Sequence, residues 1–454
     1  MSRDISPTAA LTRRGWGVLI AIAAAALILR LGYGLSQNHN IPYLPGGNDP
    51  GWYLITGYQL MTGQTRDDVP MGISTLAPAP LYLIFVGIPQ AFLPLETSVI
   101  VIRILQAVMS AAMCLFAYRL GLRLTDSSRV GLTAAALVAF SPAFIIESAQ
   151  VTTETLYMFL LAGAMSLIIE YIARAGVGWR WLIASAALFG LATLTRAVLL
   201  AYPFALAVLL VILYRKAGIK RGAVFFAVFA AVVLTWTVYN LARWNRFVIA
   251  GDGLFSFIYI GASGWDDPYV FDQRLMESLG REDELPTGDP EDEDFMLHQE
   301  DYAQAAALSI TADPVGWVQR RVSELAGAYL MPHATTAFSG ESLRDLAVTW
   351  LQEDRSLEGL MRLTQGDYFW QKLSLYVFHY GVILLGVIGI IKTRRNWRIS
   401  LPMLGFLAYV TLVHLVLYAL PRYLFPAMIF WIVYAASAFA PIQNDERADH
   451  ERAQ

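Results

Sequence analysis

The sequence predicts an all-α protein that crosses a membrane many times, and three observations lead there. Of 454 residues, 56% are hydrophobic and only 15% are charged, against roughly 25% charged in a soluble domain. Apolar runs of about 20 residues, the length that crosses a hydrocarbon core of roughly 30 Å, recur along the chain. Basic residues gather in short clusters between the runs, as they do in loops kept on the cytoplasmic side. This composition excludes a disordered chain and argues against a cytosolic globular enzyme. The 33 Lys+Arg and 36 Asp+Glu give a net charge of −3, which points to no nucleic-acid partner. The single cysteine, Cys114, allows no internal disulfide.

Spans are predicted near 15–35, 98–120, 130–147, 152–173, 181–197, 198–214, 222–242, 372–391, 399–419 and 423–440, ten in all. The stretch 79–95 is short and carries Pro80, Pro89 and Pro94, each removing a backbone donor. Charge decides its reading. Arg13/Arg14, Arg119/Arg123/Arg129, Arg174/Arg180, Arg215/Lys216/Lys220/Arg221 and Lys392/Arg394/Arg395/Arg398 all fall on one side with ten spans. An eleventh crossing would put Arg13 and Arg14 opposite the rest. The stretch 79–95 is therefore expected to be a re-entrant or interfacial helix, with both termini cytoplasmic in an inner or plasma membrane. The first span reads as an uncleaved anchor, because no small-x-small site ends it.

Four parts follow: a transmembrane module over 1–242 with an outer loop 36–97, an outer domain over 243–371, transmembrane helices over 372–440, and a tail 441–454. The outer domain holds 23 Asp+Glu and 9 Lys+Arg, a net of −14, which leaves +11 elsewhere. Its acidic peak, 281–294, reads as a solvated loop, since its acids lack EF-hand spacing. After it, Tyr302 to Ile310 reads as helix. Asp313-Pro314 opens another, with Trp317, Val318, Val322, Leu325 and Ala326 at helical spacing.

Ionisable groups near a bilayer are costly, so each is a functional suspect. Asp49, Arg103, Glu147, Glu154, Arg196 and Arg422 all fall near the outer face in the ten-span topology. Asp49, in Gly46-Gly47-Asn48-Asp49-Pro50-Gly51-Trp52-Tyr53, is placed either to cap a helix or to act as a general base on a hydroxyl. Glu154, in Val151-Thr152-Thr153-Glu154, either complements a helix dipole or supports Asp49, the acceptor or a cation. Glu147 is similar. Arg196 and Arg422 either snorkel to headgroups or offer their planar forks to a lipid phosphate. Arg103, one turn into its span, also reads as structural.

His298, His333, His379 and His414 form no metal motif. His414 is expected to hydrogen-bond a neighbouring helix, and His333, in Met331-Pro332-His333, to lie within reach of substrate. There is no P-loop, no Gly-x-Ser-x-Gly and no Rossmann fingerprint. A membrane enzyme without a nucleotide site needs a donor that is itself lipid-borne.

Taken in order, these residues resemble the GT-C membrane glycosyltransferases of family 39, a group that includes protein O-mannosyltransferases and bacterial aminoarabinose transferases. The matching elements are Asp49 with Tyr53, Leu60 and Gly63, then Ala79-Pro80-Leu81-Tyr82, Arg103, Ser141-Pro142, Glu154, Leu194-Thr195-Arg196 and Arg422-Tyr423-Leu424-Phe425-Pro426. Two departures stand out. Pro50 replaces a second acid common after the loop Asp, and Ala77 and Pro78 replace a Glu-Lys pair. The resemblance implies a GT-C helical bundle with a small, mainly helical outer domain. It implies an inverting glycosyltransferase that moves a sugar from a polyprenyl-phosphate donor to a protein, lipid or envelope glycan. Asp49 and Glu154 would be catalytic, and Arg196, Arg422 and Arg103 would hold the donor phosphate. Tyr53, Tyr82, Glu147, His333 and Tyr423 would line the pocket. No cofactor is implied with certainty; a divalent cation stays open, and its ligands are unknown. The other class considered is a multi-span transporter or lipid flippase, which favours charged or broken helices at the midplane; a non-catalytic scaffold is a third.

Overall fold

The computed structural model describes residues 12–41, 49–64, 79–251, 253–263, 275–281 and 299–440. Gly46 to Asn48, Ala77, Pro78, His298, the tail 441–454 and the acidic peak beyond Arg281 lie outside the described residues. Among the described residues every regular element is helical.

Helix α1 (Arg13–Ser36) is followed by α2 (Asp49–Thr62), α3 (Pro80–Gln90), α4 (Leu95–Thr125), α5 (Ser128–Phe140), α6 (Pro142–Glu147) and α7 (Glu154–Ala173). Then come α8 (Trp179–Thr193), a 3-10 turn (Ala197–Leu199), α9 (Tyr202–Tyr214) and α10 (Lys216–Trp244). The outer segment contributes α11 (Leu254–Ser263), α12 (Gln299–Ala312), α13 (Pro314–Leu330), α14 (Leu343–Glu353) and α15 (Leu357–Leu363). The chain returns through α16 (Phe369–Thr393), α17 (Trp397–Val416), α18 (Pro421–Leu424), the turn Phe425–Ala427 and α19 (Met428–Ser437).

Helix α7 is the central post: most of its length is buried, and it packs on α4 and α8. α4 packs in turn on α1 and α5, and α19 packs on α16, α5 and α4. One apolar core runs through these helices.

Among the described residues six helical stretches are long and apolar enough to cross a membrane: Arg13–Ser36, Leu95–Thr125, Glu154–Ala173, Ala197–Tyr214, Lys216–Arg243 and Phe369–Val416. The last is α16 and α17 joined by the turn Arg394–Asn396. The protein is an integral membrane protein. The ten expected spans are not all single helices. The run 130–147 is broken where Ser141 is followed by Pro142, the first residue of α6. The run 423–440 is assembled from α18, a 3-10 turn and α19. Helix α3, in the stretch 79–95, has 11 residues. That is roughly 16 Å at 1.5 Å per residue, too short to cross.

The basic clusters meet at one end. Glu170 of α7 pairs with Arg123 (2.7 Å) and Arg174 (2.5 Å). Asn396 donates to Leu124 O at 2.8 Å, joining the 394–396 turn to the end of α4. At the opposite end α2 lies across α3. A Cβ on Gly57 would sit 2.7 Å from Leu83 O, so only a glycine permits this crossing. Gln90 Nε2 donates to Leu54 O at 2.9 Å and clamps the pair.

Candidate active site

The end opposite the basic clusters collects four of the candidate residues from four separate parts of the chain. Asp49 is the first residue of α2. Glu154 opens α7, where the helix N-terminus favours a negative charge. Arg196 sits in extended backbone between α8 and the 3-10 turn. Leu81 N donates to Leu194 O at 2.8 Å, tying that segment to the start of α3. Arg422 follows Pro421 in α18.

These four make two ion pairs. Arg196 Nη1 lies 2.7 Å from Glu154 Oε1, with the two side chains only 15% and 5% exposed. Arg422 Nη1 pairs with Asp49 Oδ2, and there the side chains are 38% and 44% exposed. The first pair is therefore sealed in protein and the second opens outward. Tyr423 joins them: the Arg196 guanidinium is 5.3 Å and that of Arg422 5.1 Å from its ring centre. Arg422 Nη2 also donates to Tyr423 Oη at 3.3 Å. Among the described residues the buried Nε of Arg422 has no hydrogen-bond partner, which is uncommon for a buried donor.

Tyr53 and Tyr82 form the wall beneath. Their rings meet edge to face at 5.1 Å. Tyr82 Oη donates to Gln106 Oε1 at 3.0 Å, and Gln106 Nε2 donates to Ser148 O and Gln150 O. Burial, then the charges of Glu154 and Asp49, push the Tyr53 phenol up, so it stays a neutral donor.

Glu147 and His333 form a second unit. Glu147 is buried, its Oε2 lies 2.6 Å from His333 Nε2, and its Oε1 accepts from Thr152 at 2.5 Å. The His333 ring stacks on Phe425 at 4.3 Å. A small cleft of about 20 Å³ lies here, lined by Tyr329, His333, His379, Leu424, Phe425 and Met428 among others. Leu424 and Phe425 face this cleft while Arg422 and Tyr423 face the ion pairs, so one short helix divides the two compartments.

Arg103 stands apart from the expected phosphate-binding set. Its Nε donates to Ala149 O at 2.9 Å, and its Nη1 lies 2.8 Å from Asn38 O and 2.7 Å from His39 Nδ1. It braces the loop after α1 against the segment before α7. His414 hydrogen-bonds the segment that follows its own helix rather than a neighbouring helix, and it packs on the site. Its ring stacks on Tyr423 at 5.3 Å and its Nδ1 lies 3.1 Å from Tyr418 O.

Arg30 carries a role the sequence reading missed. It is fully buried and has no carboxylate contact; its guanidinium donates to Ser110 Oγ (2.7 Å), Ala139 O (2.9 Å) and Val138 O (2.9 Å). It thus caps the last carbonyls of α5, where the chain breaks to start α6. An arginine near the outer end of an apolar span was the available signal, but the two acceptors on α5 are backbone carbonyls more than 100 residues away.

Among the described residues no group of three or more His, Cys, Asp or Glu is placed to hold a metal ion. Asp49 and Glu154 are each committed to an arginine. The described residues do not make a divalent-cation site.

The fold is a helical membrane bundle with a short helix pair at one end and charged residues beneath it. Residues 88–243, about a third of the chain, match the family model described as dolichyl-phosphate-mannose-protein mannosyltransferase. No curated protein sequence gives a match. Among solved structures, the oligosaccharyltransferase AglB of Archaeoglobus fulgidus, in complex with an inhibitory peptide and a dolichol-phosphate, superposes with a TM-score of 0.52 and 15% identity. It covers 94% of this chain and 50% of that one. The oligosaccharyltransferase of Archaeoglobus fulgidus in an apo form gives 0.51 and 15%, covering 93% and 50%. ArnT from Cupriavidus metallidurans, bound to undecaprenyl phosphate, gives 0.39 and 16%, covering 94% and 78%. The chain spans half the length of AglB.

Proposed function

We propose that the protein is an inverting glycosyltransferase that moves a sugar from a polyprenyl-phosphate carrier to a hydroxyl-bearing acceptor at the outer face. The observation that carries this is the pairing of two carboxylates with two arginines around Tyr423, one pair sealed and one open. The matched family's description and the dolichol-phosphate held by AglB support the donor class.

In this reading the donor phosphate meets Arg422 first, because its side chain is 38% exposed against 15% for Arg196. Phosphate draws the guanidinium away from Asp49 and frees the carboxylate. The acceptor oxygen then attacks the anomeric carbon from the face opposite the phosphate. Asp49 takes its proton, the bond between carbon and phosphate oxygen breaks, and the carrier phosphate leaves with the electron pair. Arg422 and Arg196 balance the charge that grows on it. The phosphate is a good leaving group without protonation, so no general acid is needed. Glu154 keeps Arg196 oriented. The outer segment 243–371 selects the acceptor, and Glu147 with His333 lines its approach.

The test is transfer from a radiolabelled polyprenyl-phosphate sugar by purified protein, beside substrate counterflow in liposomes. Transfer is expected, and Asp49→Asn should abolish it while donor binding persists. Normal turnover by that variant removes Asp49 as the base. Counterflow without transfer replaces the enzyme reading by a transporter.

A further inference from the structure

Two short helices of the outer segment carry an apolar face that no described residue covers. On α15, Leu357 is 78%, Leu360 42% and Met361 62% exposed. These positions are three and four apart and share one helical face. On α14, Val348 and Leu351 are exposed at a spacing of three. Exposed apolar residues gathered on a helical face mark an interaction surface.

The position of the hairpin says what covers it. Lys372, in the first turn of α16, is buried and donates from Nζ to Ser339 O (2.7 Å) and Glu341 O (2.9 Å). This fastens the chain just ahead of α14 to the head of α16, and α14 packs on both α15 and α16. Helix α16 belongs to a stretch able to cross the membrane. Trp370, Val377, Leu384 and Ile391, one every seven residues, form an exposed ridge along it. Trp370 begins that ridge at 65% exposure, with Tyr368 exposed two residues earlier. Tryptophan and tyrosine concentrate where hydrocarbon gives way to water. The boundary thus runs at the head of α16, where Lys372 holds the hairpin. Residues 343–363 carry three arginines and four acids, so attraction to anionic lipid is not the driving force.

We propose that the α14–α15 hairpin is an interfacial anchor, its apolar face sunk into the lipid surface on the site side of the membrane. Burial of apolar area drives the docking. One consequence reaches the site. The anchor holds the 331–341 loop, and that loop brings His333 to Glu147.

Cysteines introduced as Leu357→Cys, Met361→Cys and Glu358→Cys would carry a nitroxide, in vesicles of phosphatidylethanolamine and phosphatidylglycerol. Cys114 is fully buried and is spared by the label. Glu358, with a 76% exposed side chain, is the water-facing control. Oxygen collides preferentially in the bilayer and a nickel chelate in water. The ratio of oxygen to nickel collisions should be several-fold higher at 357 and 361 than at 358, and unchanged when phosphatidylglycerol is omitted. Equal nickel access at all three positions overturns the anchor. Exclusion of both agents from 357 and 361 also overturns it, since protein would then cover the face. On the unsubstituted chain, a photoactivatable acyl-chain phospholipid should label 357–361 together with the ridge at Val377 and Leu384. Label on the ridge alone overturns the proposal. Neither readout needs donor or turnover, so the outcome is separate from the transfer reading.

Discussion

At the residue scale the central feature is that two arginines do unequal jobs. Arg196 is sealed against Glu154, while Arg422 faces outward with Asp49. Removing one partner of a buried pair leaves an uncompensated charge and costs about 3–5 kcal/mol. Glu154→Ala should therefore lower thermal stability more than the double variant Glu154→Ala/Arg196→Ala does, as read by unfolding in detergent. Arg422→Ala should cost little stability, since its pair is nearly half exposed, but should cut turnover by about 10²–10³ if it stabilises the departing phosphate. Arg422→Lys should recover only part, because an ammonium lacks the fork. Steady-state transfer rates check both. The sequence placed Asp49, Glu154, Arg196 and Arg422 near one face, and the fold brings all four together. It could not show who pairs with whom, because partners such as Asp49 and Arg422 lie 373 residues apart.

At the element scale, position depends on how short helices are held. Helix α2 delivers Asp49, and its contact with α3 has no room for a side chain at Gly57. Gly57→Leu should push α2 off α3. Overpacking of this kind costs about 1–3 kcal/mol, yet transfer should fall much further than stability, because Asp49 moves with its helix. Thermal unfolding and transfer measured on one preparation separate the two effects. Arg30→Leu tests the other junction. It strips the donors from Val138 O and Ala139 O, at about 1–3 kcal/mol for buried groups left unsatisfied. The sequence announced the break through Ser141-Pro142, since proline is tolerated in a first helical turn. It did not announce Arg30, whose acceptors are backbone carbonyls and a serine hydroxyl rather than an acid that a charge pattern could reveal.

At the scale of the whole molecule, the outer segment is fastened to the bundle at several points. Arg321 of α13 donates to Leu417 O at 3.0 Å, Phe257 of α11 meets Tyr423 at 6.0 Å, and His333 reaches Glu147. These contacts surround the one short helix that carries Arg422 and Tyr423. His333→Ala should loosen the segment: limited proteolysis near 331–341 should quicken and the KM for acceptor should rise, while donor affinity stays unchanged. A fall in donor affinity instead would place His333 on the phosphate side.

The sequence by itself determined the class of protein. Apolar length, basic clusters and proline positions are local properties, and water and lipid act on each segment separately. They were enough to predict an all-helical membrane bundle, to keep 79–95 from being read as a span, and to name most of the residues now found at one end. Tertiary structure alone decided the pairings and their exposure. It turned Arg103 into a brace for Asn38, His39 and Ala149, sealed Glu154 while leaving Asp49 open, and set His333 on Glu147. The physical reason is that the strength of a charge pair depends on distance and on how much water remains around it. Both are fixed only when helices distant in the chain close on one another.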